Sequence, residues 1–323
     1  MAMNSPSGYH LGKKLFIGGE GGWDYLVVDD AARRLYVTHN DRVHVLSADT
    51  LDIVGVVLKT EGVHGVAISS ELGRGFASNG RASTVSIFDL KTLKVIKEVS
   101  VGKNPDAIRF DPYSKRVFVF NGVSHDASVI DAASGEIIAT IPLEGKPEFC
   151  VADGLGHIYV NNEDTSEVMV IDSKTLKVLS RWPIAPGEAP TGLAIDTKNR
   201  RLFSVTRNKF MIVLDADDGR VLASLPIGSG CDGCMFDPER KLAFASNGEG
   251  TLTIVCEDSP TSFTVLDTVI TQRGARTMTI DLRTQTLFLP TAEYGSTPQP
   301  TAEQPRPRPP VLPNTFVLLQ FQK

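Results

Sequence analysis

The chain has little of several features that mark specialised classes of protein. Four cysteines among 323 residues are too few for a disulfide framework. No apolar run approaches the ~18–20 residues that a membrane helix requires. The net charge is −5, and no cluster of Lys and Arg with interleaved aromatics suggests a nucleic-acid-binding face. We therefore predict no nucleic-acid partner and no membrane partner.

Motifs of the common catalytic and nucleotide-binding folds are also missing. We recognise no Ser-His-Asp or Gly-x-Ser-x-Gly arrangement in the sequence. We also find no glycine-rich loop of the kind that binds a phosphate between a strand and a helix. Cys231-Asp-Gly-Cys234 is formally a CxxC motif, but it lies in a strand pattern. We interpret these two cysteines as buried thiols.

What the chain does contain is a repeat of about forty residues in seven copies. In each copy the first strand ends with an apolar residue followed by a polar residue, and a turn comes next. We call this polar residue the repeat anchor. The anchors are Asp29, Ser69, Asp111, Asp153, Asp196, Asp237 and Asp281. The steps between them are 40, 42, 42, 43, 41 and 44 residues. A spacing this regular indicates one supersecondary unit copied in series.

The third copy shows what that unit is. Segments 106–110, 116–120, 127–131 and 136–141 are short and β-branched, and turns containing Pro112 and Gly135 separate them. None shows a helical period. Four antiparallel strands with apolar residues on both faces are typical of a propeller blade between two neighbours. We predict an all-β, seven-bladed β-propeller that occupies residues 1–323 as one domain.

The last copy lacks a fourth strand, and the start of the chain supplies a candidate for it. Residues 12–18 resemble the other fourth strands and precede the first copy. We predict that this closing strand pairs with residues 316–321, because ring closure removes two exposed strand edges.

Several segments resemble the YVTN-repeat family of seven-bladed β-propellers. They are Leu35-Tyr-Val-Thr-His39, Ile158-Tyr-Val-Asn-Asn162 and Ser86-Ile-Phe-Asp-Leu-Lys-Thr-Leu-Lys-Val95. The resemblance covers nearly the whole chain and implies the fold, but no catalytic motif. Many family members are exported, so it favours a periplasmic or secreted protein whose signal was removed. The start, Met1 to Pro6, has no apolar signal core and fits a cytoplasmic protein equally well.

Superposing the copies reveals one polar column. The position five residues before each anchor opens the innermost strand, so these seven side chains should surround the channel mouth. We call them the mouth ring: Asp24, His64, Asp106, Glu148, Thr191, Asp232 and Arg276. Two carboxylates ~8 Å apart repel by about 2 kcal/mol at an effective dielectric constant of ~20. Four in one ring therefore need protons, Arg or His partners, or a divalent cation.

A second column lies at the ends of the second strands. We assign to it His39, Asn79, Asn121, Asn162, Arg207, Asn247 and Thr291. The asparagines are interpreted as structural, bonding to nearby backbone, whereas His39 and Arg207 depart from the repeat. Trp23, which would give a substrate an apolar wall, and Arg273 lie on the same face. So does a Pro-rich loop at 296–313, whose composition favours an ordered flap over the mouth.

Two functions fit this face. In the first, Asp24, His64, Asp106, Glu148 and Asp232 bind a divalent cation (Ca, Mn, Fe or Zn). The protein is then a metal-dependent hydrolase of a small ester, lactone or phosphoester, by fold-level analogy. Arg207 and Arg276 would stabilise negative charge, and His39 or Glu148 would move protons. In the second, the polar mouth is incidental and the protein is a non-enzymatic scaffold that binds a ligand or a protein. We expect a small-molecule partner and a monomer.

Overall fold

The computed structural model describes residues 6–301 and 307–323. The first five residues and residues 302–306 of the Pro-rich loop lie outside this range, and so do the predictions made for them. The architecture is seven four-stranded antiparallel sheets, which confirms the predicted β-propeller. Each innermost strand lies beside the next, and the last lies beside the first, so the blades form a ring. Within the described ranges, no helix is long and apolar enough to cross a membrane.

The first four blades follow the chain from the inside outwards. Blade 1 contains β2 (Trp23–Asp29), β3 (Arg34–His39), β4 (Arg42–Ser47) and β5 (Ile53–Leu58). Blade 2 contains β6 (Val63–Ser69), β7 (Arg74–Asn79), β8 (Thr84–Asp89) and β9 (Val95–Ser100), with a 3₁₀ turn at Ser70–Leu72. Blade 3 contains β10 (Pro105–Asp111), β11 (Arg116–Asn121), β12 (Asp126–Asp131) and β13 (Ile137–Pro142). Blade 4 contains β14 (Pro147–Ala152), β15 (His157–Asn162), β16 (Glu167–Asp172) and β17 (Val178–Pro183).

The last three blades include the one that joins the two ends of the chain. Blade 5 contains β18 (Pro190–Asp196), β19 (Arg201–Thr206), β20 (Phe210–Asp215) and β21 (Val221–Pro226). Blade 6 contains β22 (Cys231–Asp237), β23 (Leu242–Asn247), β24 (Thr251–Ser259) and β25 (Ser262–Ile270). Blade 7 contains β26 (Thr279–Asp281), β27 (Thr286–Thr291), β28 (Val317–Gln322) and β1 (His10–Phe16).

The closing strand pairs as predicted, with different bounds. Strand β1 is antiparallel to β28, and Lys13 lies opposite Gln320 while Phe16 lies opposite Val317. The strand starts at His10 and ends at Phe16, whereas we predicted 12–18. The reason for the early end is a turn, because the amides of Ile17 and Gly18 both donate to the Phe316 carbonyl at 3.0 Å.

The hydrophobic core lies between the blades. Tyr36 of blade 1 meets Phe88 of blade 2 with ring centroids 6.1 Å apart. Phe203 of blade 5 stacks on Phe236 of blade 6 at 5.0 Å. Each blade is therefore covered on both faces, which explains why the strands carry apolar residues on both sides. Cys231 and Cys234 are buried free thiols, as predicted.

Aspartate anchors hold the turns on the face opposite the mouth. Asp29 Oδ1 accepts hydrogen bonds from the amides of Ala31 and Ala32, at 3.1 and 3.2 Å. Asp111, Asp153, Asp196, Asp237 and Asp281 bond in the same way to the amide two residues further on. This local bonding is the physical reason for the aspartate at the end of six of the seven first strands.

Candidate functional site

A β-bulge near the start of the innermost strand orients the side chain that each of blades 1 to 6 contributes to the mouth ring. In blade 1, Trp23 pairs with His39 and Leu26 with Val37, so Asp24 and Tyr25 together lie opposite one residue of β3. The innermost strands of blades 2 to 6 shift register at the same point. A bulge bends the strand and re-aims its side chains. In these six blades it therefore turns one residue of the innermost strand towards the channel mouth.

Hydrogen bonds between neighbouring blades hold these bulges in place. They run from a side chain of one blade to a backbone carbonyl in the bulge of the next, at 2.6–2.9 Å. The pairs are Ser78 to Asp106, Asn161 to Thr191, Thr191 to Cys231, Ser246 to Arg276 and Thr277 to Asp24. Such contacts fix the ring side chains to rigid elements, which a precise binding site requires.

His64 joins two ring carboxylates. Its Nδ1 lies 2.5 Å from Asp24 Oδ2 and 3.7 Å from Asp106 Oδ1. Burial disfavours the protonated imidazole of His64. The hydrogen bond to Asp24 and the charge of Asp106 outweigh this effect and raise the pKa of His64 to about 9. Burial, only partly offset by His64, raises the pKa of Asp106 to about 7. One imidazolium thus faces two carboxyl groups.

The other ring carboxylates have their own cations. Arg276 Nε donates to Asp232 Oδ2 at 2.9 Å, and another of its nitrogens lies 3.8 Å from Asp24 Oδ1. Lys146 Nζ lies 2.5 Å from Glu148 Oε1 and also contacts Glu163, which pairs with Arg207. Burial and then the charge of Asp106 raise the pKa of Glu148 to about 9, although Lys146 opposes this. Positively charged side chains therefore relieve most of the repulsion between ring carboxylates that the sequence predicts.

Two aromatic rings form a floor beneath the mouth ring. Tyr25 of blade 1 and Phe149 of blade 4 meet across the channel with centroids 4.8 Å apart. Burial and the nearby Asp106 and Asp232 raise the pKa of the Tyr25 hydroxyl well above its usual value. The mouth is therefore closed from below at this point by a contact between distant blades.

A large cavity opens beside the ring. It encloses about 690 Å³, and we call it the arginine-lined cavity because Arg207, Arg273, Arg276 and Arg308 line it. Trp23 and Tyr294 supply aromatic walls, with Arg273 over the Tyr294 ring at 5.3 Å and Arg276 over Trp23 at 5.9 Å. A second space of about 500 Å³, the His64 cavity, shares Trp23 and Arg276 with it.

The Pro-rich loop reaches this cavity on its return limb. Its two ends pair with each other, since the Gly295 amide donates to Pro310 O at 2.8 Å and the Leu312 amide to Glu293 O at 2.9 Å. Arg308, Pro309 and Val311 then line the arginine-lined cavity. The return limb of the loop thus lies beside the channel mouth, and its role as an ordered flap stays a prediction.

The second column needs a correction in blade 5. Strand β19 ends at Thr206, which lies opposite Pro190 just as His39 lies opposite Trp23. Arg207 is one residue further on, and it was misassigned because blade 5 has no asparagine to mark the position. The asparagines are buried and structural, but Asn79 donates to Thr84 Oγ1 and Ser86 Oγ on the next strand rather than to backbone.

His39 lies apart from the cavities. It is 3% exposed, stacks on Phe316 at 4.1 Å, and its Nδ1 is 3.4 Å from His44 Nε2. Burial, with the charges of His44 and Arg42, lowers the pKa of His39 to about 4. It lines neither mouth cavity. The placement supports a structural role, so we assign His39 no part in catalysis.

The buried His39 makes a pH dependence of stability testable. Its folded pKa of about 4 lies below the unfolded value of about 6.5, so stability present above pH 6.5 is lost as pH falls towards 4. The difference in pKa corresponds to roughly 3 kcal/mol. His39→Asn introduces the residue found at this position in four of the other blades and should remove this part of the loss. Urea unfolding at pH 4.5 and 7.5 measures it, with the exposed His125→Asn as control. Equal losses in all three proteins would contradict the assignment.

The sequence analysis did not identify five residues of the site. They are Lys146, Tyr294, Arg308 and the two floor residues, Tyr25 and Phe149. The sequence does mark the floor at the position directly after each mouth-ring residue. Tyr25 and Phe149 are large at this position, whereas the other copies have a small residue there. The small residues are Gly65, Ala107, Gly192, Gly233 and Thr277. No comparable signal marks the other three.

Comparisons with known proteins agree with the fold and are silent on activity. No family model matches the chain. An uncharacterized protein YncE of Escherichia coli O157:H7 is 23% identical over 155 residues, 44% of each chain. YncE of Salmonella typhi is 23% identical over 192 residues, 57% of this chain and 54% of that protein. The chain thus spans about half the length of the curated relatives it matches.

A solved structure matches a larger part of the chain than the sequence relatives do. The structure of U3-55K superposes with a TM-score of 0.78 at 10% identity, covering 94% of this chain and 97% of the other. At that identity the likeness concerns the fold alone. The chain is a seven-bladed β-propeller with distant YncE-like relatives, and its resemblance to YVTN-repeat proteins stays a prediction.

Proposed function

We propose that the channel mouth binds a small organic anion in the arginine-lined cavity. The main support for this proposal is that Arg273 and Arg308 lack a carboxylate partner among the described residues. Both line the cavity, and within the described ranges neither has a carboxylate at ion-pair distance. Guanidinium groups bind carboxylates and phosphates through paired hydrogen bonds. An anionic ligand would supply the missing partner.

The rest of the lining suits such a ligand. A volume of about 690 Å³ lies in the usual range for small-molecule sites. The half-buried Tyr294 offers apolar surface for the body of the ligand, and the buried Trp23 packs against it with ring centroids 6.2 Å apart. Asp232 and Glu249 are held by Arg276 and Ser229, so they orient the wall and do not compete for Arg273.

A panel of small anions tests this proposal. Carboxylates and phosphomonoesters, aliphatic and aromatic, are screened by thermal shift, and the best is measured by calorimetry. Arg273→Ala and Arg308→Ala should each weaken it by about tenfold or more, since a hydrogen bond to a charged group contributes ~1.5–3 kcal/mol. Arg220→Ala, an exposed arginine of the opposite face, should leave binding unchanged. A ligand that binds equally well to Arg273→Ala would contradict the proposal.

Metal-dependent hydrolysis of an ester, lactone or phosphoester is the second candidate. One observation favours it: ligand atoms of Asp24, His64 and Asp106 lie within 4.8 Å of one another, beside the cavities. A divalent cation bound there would polarise the scissile group. Arg276 lines both cavities, so its guanidinium is placed to stabilise developing negative charge, and Arg207 lies at the rim. Glu148 lines neither cavity, and we give it no proton-transfer step.

Turnover separates the two candidates. The protein is supplied with Mn²⁺, Fe²⁺, Zn²⁺ or Ca²⁺ and assayed on ester, lactone and phosphodiester substrates. If it is a hydrolase, Asp106→Asn combined with Asp232→Asn should abolish turnover. Anion binding without turnover in any metal would instead make it a non-enzymatic binding protein. A monomeric state, a periplasmic or secreted location and membership of the YVTN-repeat family are part of the same proposal.

A further inference from the structure

We infer that Asp24, His64 and Asp106 form a three-ligand site for a divalent transition-metal ion, and that Glu148 and Asp232 are not ligands. This inference rests on the second candidate function, for which it names the ligands and the class of metal. It does not depend on anion binding by Arg273 and Arg308.

The geometry is close to that of a coordinated ion. The three ligand atoms lie within 4.8 Å of one another, with His64 Nδ1 at 2.5 Å from Asp24 and 3.7 Å from Asp106. Ligand atoms about 2.1 Å from one ion are roughly 3–4 Å apart. If a metal ion displaces the proton shared by His64 Nδ1 and Asp24, a side-chain movement of about 1 Å would convert the present cluster into a coordination shell.

A second observation, independent of the clustering, points to a ligand. Asp106 is 9% exposed, and its Oδ1, which points at His64, accepts no hydrogen bond from the described part of the chain. Asp24 Oδ1 is also buried and accepts no hydrogen bond from the described residues, although an Arg276 nitrogen lies 3.8 Å away. Buried carboxylate oxygens are almost always satisfied, and each exception needs an explanation. A cation between Asp24 and Asp106 would satisfy both oxygens.

The remaining ring carboxylates are engaged elsewhere. Arg276 holds Asp232 at 2.9 Å, and Lys146 holds Glu148 at 2.5 Å. Binding a metal through either carboxylate would break an ion pair with a half-buried Arg or Lys, which costs stability. The structure thus reduces the five ligands predicted from sequence to three.

The donor set selects the class of metal. Two carboxylates and one imidazole suit Mn²⁺, Fe²⁺ or Zn²⁺, whereas Ca²⁺ takes six to eight oxygen ligands. The His64 cavity, about 500 Å³ with Asn40, Asn104 and Arg81 in its wall, leaves room for water or substrate on the open side. Three protein ligands with an open position are typical of catalytic sites.

Gly80 makes room for the imidazole. A Cβ atom at this position would lie 2.6 Å from Cδ2 and Nε2 of His64. Gly80→Ala should therefore displace the His64 ring while every ligand side chain is kept. This variant tests the position of the imidazole separately from its chemistry.

Direct titration with Mn²⁺ tests the inference. Protein freed of metal by a chelator is titrated, and bound Mn²⁺ is followed by electron paramagnetic resonance. One ion per chain is expected. Asp106→Asn, His64→Gln and Gly80→Ala should each weaken binding at least tenfold. Asp232→Asn should change it less than threefold, and so should Asp41→Asn, an exposed acid of the same face that pairs with Arg42.

The outcomes that overturn the inference differ from those that overturn anion binding. Absence of a stoichiometric Mn²⁺ site, in folded protein that still binds anions, would refute the metal site alone. An equal loss in Asp232→Asn and Asp106→Asn would refute the three-ligand assignment. Circular dichroism and melting curves of each variant show whether a loss of binding reflects misfolding.

Discussion

Deletion of residues 1–16 is expected to lower the melting temperature by ~10 °C or more. Strand β1 completes blade 7 and pairs along its length with β28. Tyr9 just before it is fully buried and packs edge-on against Phe244 at 5.4 Å. Losing a strand of backbone bonds and one buried aromatic costs on the order of 5 kcal/mol, and ~1 kcal/mol shifts the midpoint by about 2–4 °C in a domain of this size.

Rescue by a peptide controls for unspecific damage. A synthetic peptide of residues 6–18 added to the truncated protein should restore part of the lost melting temperature, because it can pair with the free edge of β28. A scrambled peptide of the same composition should not. An unchanged melting curve after truncation would show that β1 does not close the ring.

Asp106→Asn is expected to stabilise the protein by about 2 kcal/mol at pH 8. Burial raises the pKa of Asp106 to about 7, so the folded protein resists ionisation that the unfolded chain accepts at a pKa near 3.8. The wild type therefore loses stability as pH rises from about 4 to 7, and an amide does not titrate. The full difference in pKa would give roughly 4 kcal/mol, which we halve for the amide's unmet donors.

Urea unfolding of both proteins at pH 4 and pH 8 measures this effect. The two should have similar stability at pH 4, where the carboxyl group is protonated in the folded state. Asp41→Asn, which removes an exposed carboxylate, should show no comparable gain. A loss of stability in Asp106→Asn at pH 8 would mean that the carboxylate is well compensated. A gain would indicate that the residue is kept for function at a cost in stability.

The fold could be predicted because its signals are local. Each copy repeats a strand, an anchor and a turn, and the aspartate anchors bond to amides only two or three residues away. The missing strand in the last copy and the unmatched strand at the start could be paired by counting. The mouth ring followed from the same count, since position in the copy determines position around the channel.

The partners of the ring could not be predicted. Arg276 reaches the carbonyl of Trp23 across 253 residues of sequence, and Tyr25 meets Phe149 from three blades away. Such contacts depend on the diameter and closure of the ring, which no single copy encodes. The same reason explains the buried state of His39, which stacks on Phe316 of the last blade.

The repeat alone is enough to predict the number of blades, their closure and the side chains expected around the mouth, because each copy carries its own register. How the charges of that mouth are shared depends on the tertiary structure. It pairs Asp232 with Arg276 and Glu148 with Lys146, and it leaves Asp106 Oδ1 without a hydrogen-bond donor among the described residues. Pairing between charged side chains depends on distances of a few ångströms between blades, and spacing along the chain does not encode such distances.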